Sequence, residues 1–231
     1  MSRSGYFITF EGIEGAGKST QAEKLVQHLR QEGYPVEFVR EPGGTNVGEA
    51  IRNVLADPSF TEITPLTEVL LLSASRSQLV EQYIRPQLGE GKIVICDRFT
   101  DSTMAYQGYG SGVHFTQIRE VTDMCTWGVR PDLTILLDID PERGLGRVRT
   151  RSVETLTRMD RLENMDMGYH ERVREGYLEI ASEEPFRFRV LDGTVPSEDL
   201  SRKITSLVMR EISRVLPHPG TRLTFDRTSL E

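Results

Sequence analysis

Apolar residues fall along the chain in two rhythms. Short runs rich in β-branched and aromatic residues, at 6–10, 36–39, 93–96, 133–137 and 186–191, predict five buried strands. Between them apolar positions recur every three or four residues, the helical spacing. Leu25, Val26 and Leu29 belong to a helix that starts near Ser19 and ends at Gly33. A second helix, capped by Thr45 or Asn46, runs through Ile51 and Leu55 to residue 56. A long third one spans 65 to about 88 behind a Thr64 cap, with Leu66, Val69, Leu70, Leu72, Leu79 and Val80 on its apolar side and Pro86 kinking or ending its last turn. Helical spacing returns at 101–127 with a glycine break at 108–112, after Pro141, at 172–181, and at 197–215 with Leu200, Ile204, Leu207, Val208 and Ile212 as its core stripe. Strands that alternate with helices predict an α/β domain in three layers, a five-stranded parallel sheet with helices on both faces. Residues 216–231 show no periodicity and read as a loosely ordered tail.

The first strand breaks into Gly12, Ile13, Glu14, Gly15, Ala16, Gly17, Lys18, Ser19 and Thr20, which contains G-x-x-x-x-G-K-[ST], the P-loop. Glycines let backbone N–H groups approach phosphate oxygens, and the helix that follows adds the positive end of its dipole. Lys18 supplies a mobile charge for the outer phosphates and Ser19 a hydroxyl ligand for Mg²⁺.

Composition changes this picture only by exclusion. The net charge of −7 argues against a general nucleic-acid binder. Two cysteines, Cys96 and Cys125, and four histidines give neither metal-ligand spacing nor a disulfide framework. No apolar run is long enough to span a membrane and the first residues carry no apolar leader, so the expected location is the cytoplasm.

Three further places carry candidate chemistry. The apolar run at 93–96 ends in Asp97 and Arg98: a carboxylate at a strand tip beside a P-loop suits a Mg²⁺-water ligand, and an adjacent arginine can clamp a phosphate through two N–H groups. Arg76, in the long helix, either lies on a solvated face or reaches into the site. Arg143, Arg147, Arg149, Arg151, Arg158 and Arg161 form a stretch without lysine, either a solvated helix face or a lid over triphosphate oxygens.

Together these residues resemble the thymidylate kinase family in its bacterial form, over about residues 7–215. The resemblance rests on FITFEGIEGAGKST; on REPGGT followed by Gly48, Glu49, Ile51 and Arg52; on LLLSASR; on DRF continuing through Asp101 to Gly108; and on PDLTILLD. It implies a nucleoside-monophosphate-kinase-like fold with an arginine-rich lid at about 147–165. The implied reaction moves the γ-phosphoryl group of ATP to dTMP, with Mg²⁺, in a homodimer whose interface includes residues 65–88. By the same resemblance Lys18 and Ser19 hold the ATP phosphates and Mg²⁺, and Glu14 contacts the acceptor's 3′-hydroxyl. Arg98, helped by Arg52, grips the acceptor phosphate, and Asp97 orients Arg98 or a metal-bound water. Arg76, Thr103 and Gln107 hydrogen-bond thymine, and Tyr106 crowds C2′ of the sugar.

Two departures stand out. Leu72 occupies the position where the family commonly stacks an aromatic ring on thymine. Residues 152–156 look inserted in the lid, and with Gly15 and Ala16 leaving no arginine in the P-loop, the catalytic guanidinium is expected from Arg158 or Arg161. No general base is required, since a phosphate with a second pKa near 6 is mostly deprotonated at pH 7. Two rival readings stand beside this one. A deoxynucleoside kinase would use Glu41 as a base, and a non-catalytic switch would bind nucleotide without transferring phosphate.

Overall fold

The computed structural model describes residues 5–155 and 160–216. The tail from 217 onward and Arg158 lie outside the described residues. Five parallel strands, β1 (Tyr6–Glu11), β2 (Val36–Arg40), β3 (Ile93–Asp97), β4 (Leu133–Asp138) and β5 (Phe188–Asp192), form one sheet in the order β2-β3-β1-β4-β5. Side chains alternate across it as the two-residue period requires. Ile8, Phe10, Ile93 and Ile95 point into one core layer, while Phe7, Val94 and Cys96 point into the other with Leu79, Val80, Ile84 and Leu88.

Register determines what meets at the carboxyl ends of the strands, the edge where ligands bind in open α/β sheets. Phe10 pairs with Asp97 and Arg40 pairs with the same Asp97. The P-loop, Asp97 and Glu41 therefore leave the sheet side by side.

The helices are α1 (Lys18–Gln31), α2 (Asn46–Ala56), α3 (Pro65–Leu79), α4 (Arg85–Gly89), α5 (Thr100–Thr103), α6 (Phe115–Thr126), α7 (Pro141–Thr155), α8 (Met167–Glu183) and α9 (Ser197–Ile212). Thr45 and Thr64 cap α2 and α3, each hydroxyl accepting a backbone N–H three residues on. The long helix expected at 65–88 is one helical run. A π-helical turn at Val80–Ile84 joins α3 to α4, and Pro86 sits in the first turn of α4. A second π-helical segment, Met104–Gly110, continues α5.

Three expectations are corrected. Leu66 and Leu70 of α3 are exposed, whereas Val69, Leu79 and Val80 are buried, because the apolar stripe of α3 is narrower than its sequence suggests. The last strand starts at Phe188, not 186, since Arg187 and Phe188 donate their N–H groups back to Glu184 in a turn that leaves Phe186 exposed. Helix α8 starts five residues before 172, because Asp166 caps it by accepting from Tyr169 N at 2.8 Å.

Candidate active site

The P-loop takes backbone shapes that only glycine adopts cheaply. Gly12, Gly15 and Gly17 have φ of 136°, 71° and 97°. A Cβ on Gly15 would stand 2.0 Å from the carbonyl oxygen of Gly144 in α7, so loop and helix touch backbone to backbone. Lys18 Nζ donates to the Ile13 carbonyl at 2.8 Å. Ile13 itself, expected among the nucleotide contacts, turns its side chain into the core and contributes that carbonyl.

A cavity of about 630 Å³ opens from this loop. Its walls include Glu14 to Gln21, together with Leu72, Arg76, Thr103 and Gln107, and Arg52, Arg98 and Tyr106 also line it. Every expected site residue is therefore in or beside one cavity except Arg158, which lies outside the described residues.

Arg98 has a φ of 72°, unusual for a side chain with a Cβ. Its Nη1 donates to the Gly12 carbonyl (3.1 Å), Ser102 Oγ (3.2 Å) and Tyr177 Oη (3.2 Å). Its Nη2 donates to Glu14 Oε1 (3.1 Å) and Tyr106 Oη (3.0 Å), and the guanidinium carbon lies 4.9 Å from the Tyr106 ring centre. Tyr106 Oη in turn donates to Glu14 Oε1 at 2.6 Å. Burial alone would raise the Glu14 carboxyl, but the neighbouring His170 imidazole and the charges of Arg98 and Lys18 hold it down at about 2. His170 is fully buried on α8 with Nδ1 3.5 Å from Glu14.

Beneath Arg98 lies Glu11, the last residue of β1. It accepts from Phe99 N (2.7 Å), Ser102 Oγ (2.6 Å) and Tyr177 Oη (2.9 Å), and so ties the Arg98 turn to the sheet. Burial, reinforced by Asp101, lifts its carboxyl from 4.5 to about 7 against the hydrogen bond from Ser102 and the charge of Arg98. A carboxyl raised in the folded state costs nothing below the unfolded value and destabilises progressively as pH climbs from 4.5 to about 7. Glu11→Gln lacks that cost. Its Tm relative to the parent should therefore improve between pH 5 and pH 7.5, and thermal melts showing a constant difference would contradict this origin.

Arg76 is buried and reaches the site, which resolves its two readings. It pairs with the equally buried Glu41 and donates to Thr103 Oγ1 at 2.8 Å, while its Nε and Nη1 have no hydrogen-bond partner among the described residues. Glu41, the base of the rival reading, is thus committed to Arg76. Burial raises its carboxyl even against that guanidinium.

Ser19 Oγ donates to Asp97 Oδ2, and Asp97 Oδ1 is buried with no partner among the described residues. Oxygen donors of this kind beside a phosphate loop suit Mg²⁺, which takes one or two protein ligands and completes its shell with phosphates and water. No group of three or more histidine, cysteine, aspartate or glutamate side chains that could hold a metal ion occurs among the described residues.

The lid arginines divide. Arg147 Nη1 donates to the carbonyls of Gly15 (3.2 Å) and Gly193 (3.0 Å), and Arg151 lines the cavity. Arg161, expected at the transferring group, also lines the cavity, where it pairs with Glu68 at 2.5 Å and donates to the Leu55 carbonyl. Glu68, Glu11, Ser102, His170 and Tyr177 were not singled out by sequence. For Glu68 a signal exists: Glu68, Leu72 and Arg76 are spaced four apart on one helix face.

The thymidylate kinase family profile matches residues 10–204. The chain is 48% identical over 204 residues to a thymidylate kinase of Deinococcus radiodurans, covering 88% of this chain and 96% of that one. It is 46% identical over 212 residues to that of Roseiflexus castenholzii, covering 87% and 92%. The chain belongs to the thymidylate kinase family. Its fold is likewise similar to the crystal structure of thymidylate kinase from Ehrlichia chaffeensis, with a TM-score of 0.72 at 34% identity over 89% of this chain and 99% of that chain. As a member of this family it is a phosphotransferase acting on dTMP.

Proposed function

We propose that this thymidylate kinase transfers the ATP γ-phosphoryl group to dTMP with ATP seated on the P-loop, dTMP between Arg98 and Arg76, and the two phosphate ends meeting over Arg98. The observation that carries this assignment is one cavity whose walls combine the P-loop, Arg98 and a group of side chains, Leu72, Arg76, Thr103 and Gln107, that offers both apolar surface and hydrogen-bonding groups. Lys18 and the P-loop N–H groups hold the donor phosphates, while Ser19 and Asp97 hold Mg²⁺, which when bound neutralises charge on those phosphates. Arg98 and Arg52 fix the acceptor phosphate, and Glu14 accepts from the 3′-hydroxyl. Arg147 and Arg151 supply the lid charge. Leu72 gives the base an apolar wall in place of an aromatic one, and Tyr106, locked by Glu14 and Arg98, stands where a 2′-hydroxyl would need space.

Release of ADP from Mg-ATP in the presence of dTMP, dUMP, thymidine or no acceptor tests the reading. Turnover with dTMP well above the rest is expected. Turnover with thymidine instead would return Glu41 to the role of base, and no turnover with any acceptor would leave a nucleotide-binding switch. The exposed Leu66 and Leu70 of α3 support a homodimer through that helix. Among the described residues no helix is long and apolar enough to cross a membrane.

Lys18 adds a pH dependence. Burial, with Arg98 nearby, lowers its ammonium from 10.5 to about 8. ATP phosphates restore the charged form, so above about pH 8 binding takes up a proton and affinity declines as pH rises. Calorimetric titration of Mg-ATP at pH 8.5 should give a binding enthalpy that varies with the buffer's ionisation enthalpy. A buffer-independent enthalpy would show that Lys18 enters the complex already charged.

A further inference from the structure

We propose that Glu68 is a positioning residue that decides which pyrimidine this enzyme accepts, by fixing the side-chain amide of Gln107. This rests on the reading that Gln107 meets the base.

Glu68 opens the first turn of α3 and is almost fully buried. One carboxylate oxygen, Oε1, lies 2.5 Å from Arg161 Nη1; the other, Oε2, accepts from Gln107 Nε2 at 2.8 Å. A carboxylate paired to a guanidinium can only accept hydrogen bonds, so it imposes an orientation on any amide that faces it. Turned by 180°, Gln107 would set its carbonyl oxygen against the carboxylate, acceptor against acceptor. Its Oε1 is therefore left on the other side, where it is buried and has no hydrogen-bond partner among the described residues. Gln107, Glu68 and Arg161 all line the cavity beside Leu72 and Arg76.

A buried, unpaired carbonyl oxygen demands a donor. Thymine and uracil present N–H at ring position 3; cytosine presents a bare nitrogen lone pair there. With the amide held as Glu68 holds it, thymine completes the hydrogen bond and cytosine meets oxygen lone pairs. Sites built around one hydrogen bond reject the analogue that cannot make it far more strongly than apolar walls do. Leu72 offers either ring the same apolar surface, so the discrimination falls to the polar groups around the base, the Gln107 amide among them.

The pair with Arg161 makes the proposal testable by a single atom change. In Glu68→Gln, the guanidinium still requires an oxygen, so the new amide turns its Oε1 to Arg161 and its NH₂ to Gln107. Gln107 must then present its own oxygen to residue 68 and its NH₂ to the cavity, which suits cytosine. The experiment measures kcat/KM for dTMP and dCMP, and KM for ATP, on the full chain for the parent, Glu68→Gln and Gln107→Ala. Because both acceptors are assayed on the same protein, a general loss of fold cancels in their ratio.

The expected result is a fall of at least about tenfold in the dTMP-to-dCMP ratio for Glu68→Gln, with KM for ATP unchanged. If Glu68→Gln proves too unstable to assay, Glu68→Gln with Arg161→Gln removes the buried guanidinium along with the carboxylate. That pair frees both amide orientations and should still narrow the ratio. An unchanged ratio in the Glu68 variants, while Gln107→Ala narrows it, would overturn the role of Glu68 and leave the site reading intact. An unchanged ratio and unchanged KM for dTMP in Gln107→Ala would mean that Gln107 does not meet the base, and the proposal would fall with the reading beneath it.

Discussion

Arg98→Ala should cut turnover with dTMP by about 10²- to 10³-fold, roughly 3–4 kcal/mol of transition-state stabilisation, while KM for ATP stays within about twofold. The asymmetry follows from position. Arg98 touches the P-loop at two points, the Gly12 carbonyl and the Glu14 carboxylate, and neither is a P-loop N–H group or the Lys18 ammonium; its other partners are Ser102, Tyr177 and Tyr106. Lys18 keeps its own anchor on the Ile13 carbonyl. Arg98→Lys should rescue little, because an ammonium cannot reproduce the two-armed fork that spans Gly12 and Glu14. Steady-state kinetics with each substrate varied in turn separates the two constants. An equal rise in KM for ATP would show that the residue serves the donor as much as the acceptor.

The second large effect is on stability. Arg76→Met leaves Glu41 buried without its ion-pair partner, and breaking such a pair from one side costs about 3–5 kcal/mol. For a chain of this size that corresponds to a Tm lower by about 6–20 °C. The deficit carries a pH signature. Burial already raises the Glu41 carboxyl, and without the guanidinium it rises further. A carboxyl raised in the folded state takes up a proton more readily there than in the unfolded chain, so the variant loses stability as pH climbs above the unfolded value of 4.5 and recovers it as pH falls. Melts from pH 5 to pH 8 should show the gap to the parent widening with pH. Adding Glu41→Gln should close much of the gap at pH 8; no recovery would assign the loss to Arg76 packing on Phe99 instead.

Why so much of this site could be read before any coordinates is a matter of locality. The P-loop, the Thr45 and Thr64 caps and Asp97 with Arg98 at a strand tip are each set by neighbours within a few residues, and the parallel register then brings them together. What escaped reading depends on distance or on an unusual period. Glu11 looks like the end of a strand until Tyr177 and Ser102 arrive from α8 and α5. His170 is one of four dispersed histidines until α8 buries it beside Glu14. Tyr106 and Gln107, adjacent in sequence, are reached through the family resemblance and not through periodicity: both are buried in a π-helical segment, and a search tuned to 3.6 residues per turn does not place neighbours on one face. Arg161 is expected at the transferring group because it lies in the lid and the P-loop has no arginine, and neither fact reveals that Glu68 holds it.

The bare contact between Gly15 and Gly144 makes a fulcrum at the root of α7. Neither residue has space for a single extra carbon, so the lever arm starts at a known point, and the Arg147 side chain, bonded to Gly15 and Gly193, steadies it there. At 1.5 Å per residue, Arg147 stands roughly 4.5 Å along that arm and Arg151 roughly 10.5 Å. Any swing of α7 about Gly144 would therefore carry Arg151 more than twice as far as Arg147, whose bonds to Gly15 and Gly193 tie it to the loop.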